Sequence, residues 1–286
     1  MKTKLYYYIP FNPNILEFLE KNHITYKREW TQYPSLNGQC GRKEEYLQFT
    51  FNKENIIWGD VERDLPHRNA CWLVFTPKEL NEAKWLTVRT TNMKVDDWGE
   101  STFQYSCRFE IDHGHRIAEA AHHHEQVAPY ECRPIKWKPN NHFYSPYRGG
   151  YETIFCDDFA MQFMQNNALK GVEFGEITWY KKNIPLPDAH QLLFPNVVPK
   201  EYIEIGDYAK KLACPMCGRE RYEVSAEFRL RIKKEYLDEN VDFYRTADIF
   251  GSARESHILI ASQRAYSKLK EAGLTRNLCF EPVILV

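Results

Sequence analysis

Cys214-Pro215-Met216-Cys217-Gly218 sets two thiols three positions apart, with a glycine directly after the second. That spacing suits a turn that offers both sulfurs to one Zn²⁺, and a tetrahedral zinc then needs two more ligands. The chain has a second, altered version of the motif at Asn37-Gly38-Gln39-Cys40-Gly41, with Asn in place of the first cysteine. The candidate metal set is therefore Cys40, Cys214 and Cys217, with Asn37 at the fourth position. Asn37 offers only a neutral amide oxygen, a poor zinc ligand, so His23 or another cysteine is an alternative donor. Three sulfurs with an open position is also the layout of a catalytic zinc. The opposing reading is a decayed site in which packing replaces the metal. Zinc is the one cofactor this set calls for.

A redox Cys-x-x-Cys motif normally opens a helix after a strand. Here Tyr222, Val224, Ala226, Phe228, Leu230 and Ile232 alternate, which is a strand pattern, so a metal knuckle fits better. The other cluster is Asp112-His113-Gly114-His115 followed by His122-His123-His124-Glu125. If Arg116 to Ala121 and its continuation are helical, three consecutive histidines point about 100° apart and cannot share one ion. His124-Glu125 also lacks the second histidine of H-E-x-x-H, because position 128 is Ala. A solvated helix end or loop is expected. No phosphate loop, dinucleotide fingerprint or nucleophile elbow occurs. Asp157-Asp158 reads as a helix cap and Asp96-Asp97 as a turn. Trp179-Tyr180-Lys181-Lys182 and Lys210-Lys211 read as solvated surface.

These residues must be positioned by a chain of 286 residues, 43% hydrophobic and 27% charged, with formal net charge −1. Nothing in that balance drives general nucleic-acid binding. An aromatic content of 15% suits β-rich packing and surfaces that contact a partner. No signal peptide and no stretch long enough to span a bilayer are read, so a cytoplasmic location is expected. Eight unevenly spaced cysteines do not resemble a secreted disulfide framework.

Asn12-Pro13 predicts a capped first helix with Ile15, Leu16, Phe18 and Leu19 on its apolar face. Strands are predicted at Tyr46 to Phe51, Cys71 to Phe75, Trp85 to Thr91 and Thr102 to Ile111. Prolines, asparagines and glycines crowd 128–150, which places a boundary between halves 1–140 and 141–286. In the second half Asp157 and Ser262 each cap a helix followed by a strand, and Leu169 aligns with Leu274, Phe174 with Phe280 and Ile177 with Val283. This is either a duplicated helix–strand unit or two ordinary amphipathic helices. The expected class is α+β: two packed β-rich halves with amphipathic helices, joined by the zinc-knuckle-like pair.

Glu29-Trp30, Tyr33-Pro34, Ser35-Leu36 and Asn37 to Gly41 form one block, Cys214 to Arg219 a second, and Phe280-Glu281-Pro282-Val283 an ending. With these residues the chain resembles the double-CxxCG-motif family, its first motif degraded at Asn37. The resemblance spans the framework of the chain but rests on few specific residues. It implies an immunity protein of bacterial competition, non-enzymatic, that binds and neutralises a cognate protein toxin, with neither nucleic acid nor membrane as partner. The alternatives are a zinc-dependent hydrolase using Cys40, Cys214, Cys217 and a water, or a zinc-ribbon-like scaffold.

Overall fold

The structure, a computed structural model, describes residues 4–32, 43–52, 70–91, 93–95, 103–112, 117–146, 153–214, 216–225, 228–251 and 256–286. It is a strand-rich α+β chain that divides into two units, Met1–Thr76 and Pro77–Val286. Along the first unit run β1 (Lys4–Pro10), α1 (Pro13–Lys21), β2 (Tyr26–Gln32), β3 (Lys43–Asn52) and β4 (Ala70–Val74). The second begins with α2 (Pro77–Glu82), β5 (Trp85–Thr90), β6 (Met93–Val95), β7 (Phe103–Asp112), β8 (Ile117–Gln126), β9 (Tyr130–Cys132), β10 (Phe143–Pro146) and β11 (Ile154–Cys156). It continues with α3 (Asp158–Asn166), β12 (Glu173–Trp179), β13 (Pro185–Leu193), β14 (Val197–Val198), β15 (Ile203–Glu204), β16 (Ala209–Ala213), β17 (Glu220–Val224) and β18 (Arg231–Ile232). The last elements are β19 (Phe243–Thr246), β20 (Leu259–Ser262), α4 (Gln263–Glu271), β21 (Leu278–Pro282) and β22 (Ile284–Leu285). Among the described residues no helix is long and apolar enough to cross a membrane.

In the first unit, four antiparallel strands stand in the order β2-β3-β1-β4. Ile15 and Leu19 of α1 share a buried cluster with Tyr7, Ile9, Leu47 and Phe49. In the second unit, one mixed sheet has the order β6-β10-β11-β13-β12-β9 and another β14-β19-β20-β5-β21. The main core lies between them. It takes Phe143, Ile154 and Cys156 from the first sheet, Leu86, Val88, Leu259 and Phe280 from the second, and Met164 and Leu269 from the helices. Alternate strand residues face opposite ways, so Phe155 and Tyr144 enter a second cluster. Trp85 and Ile260 likewise enter a third. Strands covered on both faces read as unbroken apolar runs, as Ile154–Cys156 does.

One local design occurs three times. Asn12, Asp157 and Ser262 each accept a backbone N–H of the first turn, from Asn14, Ala160 and Ala265 respectively. Each helix is nine residues long. Each closes on a left-handed residue, His23 (φ 53°), Ala168 (φ 49°) or Gly273 (φ 71°). The next amide then returns to the helix: Ile24 to the Leu19 carbonyl, Leu169 to Met164 and Leu274 to Leu269, at 2.8–3.0 Å. This is the Schellman closure, with an apolar residue following the turn. In all three, the strands before and after the helix flank one strand antiparallel to both: β3 between β1 and β2, β13 between β11 and β12, β5 between β20 and β21.

Arg264 ties the last two copies together. Its guanidinium donates to the Asn167 and Ala168 carbonyls at the end of α3, at 3.0 and 3.2 Å. It also donates to Asp242 at 2.6 Å. A cation there satisfies orphan carbonyls at the negative end of the helix. Asp242, fully buried, further accepts from Ser262 Oγ (2.7 Å) and the Lys170 amide (2.9 Å).

Two expectations differ from what is seen. Residues 117–126 form β8, not a helix, because pairing with β7 from Phe103↔Gln126 to Asp112↔Ile117 overrides the helix-forming alanines. The boundary expected at 140/141 falls inside the second unit, where β9 pairs with β12 and β10 with β11.

Candidate metal-binding knuckle

β16 and β17 form an antiparallel hairpin with Ala213 opposite Glu220. The Cys214 amide donates to the Arg219 carbonyl (2.8 Å), and the Gly218 amide donates back to the Cys214 carbonyl (2.9 Å). These bonds fold the loop over and bring its two cysteines to one end of the hairpin. The fold-back needs Gly218 at φ 70°, a conformation that suits glycine. The Met216 N–H points at Cys214 Sγ at 3.4 Å, the orientation that steadies a metal-bound thiolate. Cys214 is buried, while Cys217 and Met216 are exposed. The described residues of this turn therefore fit half of a tetrahedral sulfur site.

The hairpin is fastened to the body along its β17 side. The Tyr222 amide donates to the Ile249 carbonyl, and the Gly251 amide donates to the Tyr222 carbonyl, both at 2.9 Å. The Tyr222 and Phe250 rings lie 5.8 Å apart, and Phe228 packs on Phe250 at 5.4 Å. Burial, with Asp248 adding to it, pushes the Tyr222 hydroxyl up. Burial also pushes the Asp248 carboxyl above the usual range, against the pull of Lys200 at 3.8 Å. On the open side Lys211 bonds Glu220 at 2.6 Å. That bond raises the Lys211 ammonium and lowers the Glu220 carboxyl.

The other half of the expected set, Asn37 and Cys40, lies outside the described residues. His23 is the exposed left-handed residue closing α1. Among the described residues no group of three or more His, Cys, Asp or Glu side chains is placed to hold a metal. Of the histidine cluster, His113 and His115 are outside the described residues, as are Asp96 and Asp97. His122, His123 and His124 lie in β8, with His122 opposite Cys107 and His124 opposite Tyr105. The strand expected over Tyr222 to Ile232 is two short ones, β17 and β18, which join different sheets.

The sequence gives no sign of two histidine–carboxylate pairs at the start of α3. Asp157 caps the helix with Oδ1 and meets His142 Nδ1 with Oδ2 at 2.7 Å. Asp158 meets His190 Nε2, also at 2.7 Å. Cys156 lies opposite His190 in the sheet, which invites comparison with a thiol–imidazole–carboxylate site. Burial works against that chemistry, since it pushes the Cys156 thiol well above its ordinary range, with Asp157 and Asp158 adding to it. Nucleophilic attack needs the thiolate. The partners of these two aspartates come from the residue before β10 and from β13, so only sheet pairing could reveal them.

The chain matches no family model and no curated protein.

Proposed function

We propose that the chain is a non-enzymatic immunity protein that binds a bacterial protein toxin and neutralises it in the cytoplasm. The observation that supports this reading is the Cys214–Gly218 turn. It has the backbone bonds and left-handed glycine of a thiolate-presenting knuckle, at the motif on which the family resemblance rests. On this reading Cys214 and Cys217 supply two thiolates of a zinc site. Zinc bound there supplies a structural crosslink. Blocking a toxin requires a surface held rigid before contact, because ordering it afterwards weakens binding.

The test pairs this gene with the toxin gene encoded beside it. Growth rescue on co-expression and a co-purifying complex are expected. Neither rescue nor complex overturns the reading, as does a neighbourhood of metabolic genes only. Metal analysis of the purified chain tests the knuckle separately. About one zinc per chain, lost in Cys214→Ser and Cys217→Ser together with thermal stability, supports the structural site. Wild-type protein without zinc assigns the knuckle to packing alone.

A further inference from the structure

We infer that the β9 edge of the six-stranded sheet is a docking surface for an acidic patch on a partner protein, its charges being Lys136, Lys138, Lys181 and Lys182. This inference rests on the protein-binding reading above and names a surface for it. Neither 132–146 nor 177–187 contains an Asp or Glu. Parallel pairing of β9 with β12 brings these two stretches together, with Trp179 opposite Cys132. The Tyr180 amide extends the pairing by donating to the Cys132 carbonyl at 2.9 Å. Trp137 and Trp179 pack on the same buried cluster. Lys136 and Lys138, exposed on either side of Trp137, therefore share this end of the sheet with exposed Lys181 and Lys182. Among the described residues no carboxylate pairs with any of the four lysines.

The turn holds its two lysines in place. The amides of Lys182 and Asn183 both donate to the Trp179 carbonyl, at 3.0 and 3.1 Å, and the Trp179 amide donates to Ile184 at 2.7 Å. Lys181 (φ 65°) and Asn183 (φ 52°) are left-handed as a result. For lysine that conformation costs about 1–2 kcal/mol, a strain that persists where the surrounding structure imposes it. Lys182 Nζ sits 3.5 Å from the Trp179 ring centroid and Lys181 Nζ 5.3 Å from that of Tyr180. Charges already ordered lose less freedom on binding. Ile184, 47% exposed, adds apolar contact beside them.

A protein fits this surface better than a nucleic acid. Single-stranded binding uses open aromatic faces on which bases stack, and here a lysine covers the Trp179 ring. The whole chain carries net charge −1, so no long-range field draws in a polyanion. Four local cations match a local acidic patch.

The test measures binding of a labelled Glu- and Asp-rich dodecapeptide at low salt. Twelve-residue oligo-dT and phosphatidylserine vesicles serve as competing probes. Peptide binding is expected to weaken about tenfold or more in K181E/K182E and in K136E/K138E, and to fade with salt. K181G/K182Q should weaken it as well while relieving the left-handed strain, which keeps the result independent of a misfolded turn. Unchanged peptide binding in the variants, tighter binding of oligo-dT or vesicles, or no binding at all overturns the proposal. With the toxin itself, full capture by the quadruple variant K136E/K138E/K181E/K182E overturns this surface but leaves the immunity reading standing. Lysine-dependent peptide binding without toxin capture does the reverse.

Discussion

The shared closure of α3 and α4 allows a paired substitution with opposite signs. Ala168 and Gly273 occupy the same left-handed position, two residues past the end of each nine-residue helix. A Cβ there costs about 1–2 kcal/mol, and glycine in the unfolded chain returns about 0.4–1 kcal/mol of that through its extra freedom. Ala168→Gly should therefore stabilise the fold by about 1 kcal/mol, and Gly273→Ala should destabilise it by about the same. A Cβ on Gly273 meets nothing within 4 Å, so backbone strain is the only contribution. In a unit the size of Pro77–Val286, each change corresponds to about 2–4 °C in melting temperature. Urea unfolding of both variants, followed by circular dichroism, reads the two shifts against wild type. Two shifts of the same sign, or Gly273→Ala without effect, would refute the common closure.

Asp242→Ala removes the acceptor for Arg264, Ser262 and the Lys170 amide from a fully buried position, and should cost about 3–5 kcal/mol in denaturant unfolding. Arg264→Ala should cost less, because its guanidinium is partly exposed, yet it should fray the end of α3 in hydrogen exchange at Leu169. Burial raises the Glu281 carboxyl above its ordinary 4.5, against the pull of Arg89. The folded state thus binds that proton more tightly than the unfolded state, and stability falls as pH rises from about 4.5 through the raised value. Glu281→Gln removes this dependence, so its stability relative to wild type should improve between pH 4.5 and pH 7; no change across that range would count against a raised Glu281 carboxyl. On the proposed zinc reading, Gly218→Ala should loosen the knuckle turn and lower zinc content without unfolding the chain, read by metal analysis beside a thermal melt.

Short-range features were readable from the sequence. Asn12, Asp157 and Ser262 declare their helices because each cap bonds within three residues of itself. The Cys214–Gly218 turn is equally local, set by one glycine and four neighbouring residues. Sheet partners are not local. The run from Ile117 to Ala121 has helix-forming residues, and only β7 across the ladder makes it a strand. The prolines of 128–150 mark irregular backbone, which a sheet absorbs between β9 and β10 without dividing the chain. His142, directly before β10, and His190 in β13 reach α3 through a sheet register that no spacing rule supplies. The lysines after β9 and β12 look like two ordinary solvated patches until the pairing of those strands is known.

The position of β5 matters for how this protein is made. Its two neighbours are β20 and β21, with Leu259 opposite Val88 and Phe280 opposite Val88 from the other side. During synthesis this strand leaves the ribosome long before either partner. Until then Leu86 and Val88 have open hydrogen-bonding edges and no cover, the condition in which strands pair with the wrong neighbour. Late closure across so many residues makes for slow folding. The nascent chain should accordingly lean on chaperones until β20 and β21 emerge, and removal of residues 275–286 should leave β5 without β21.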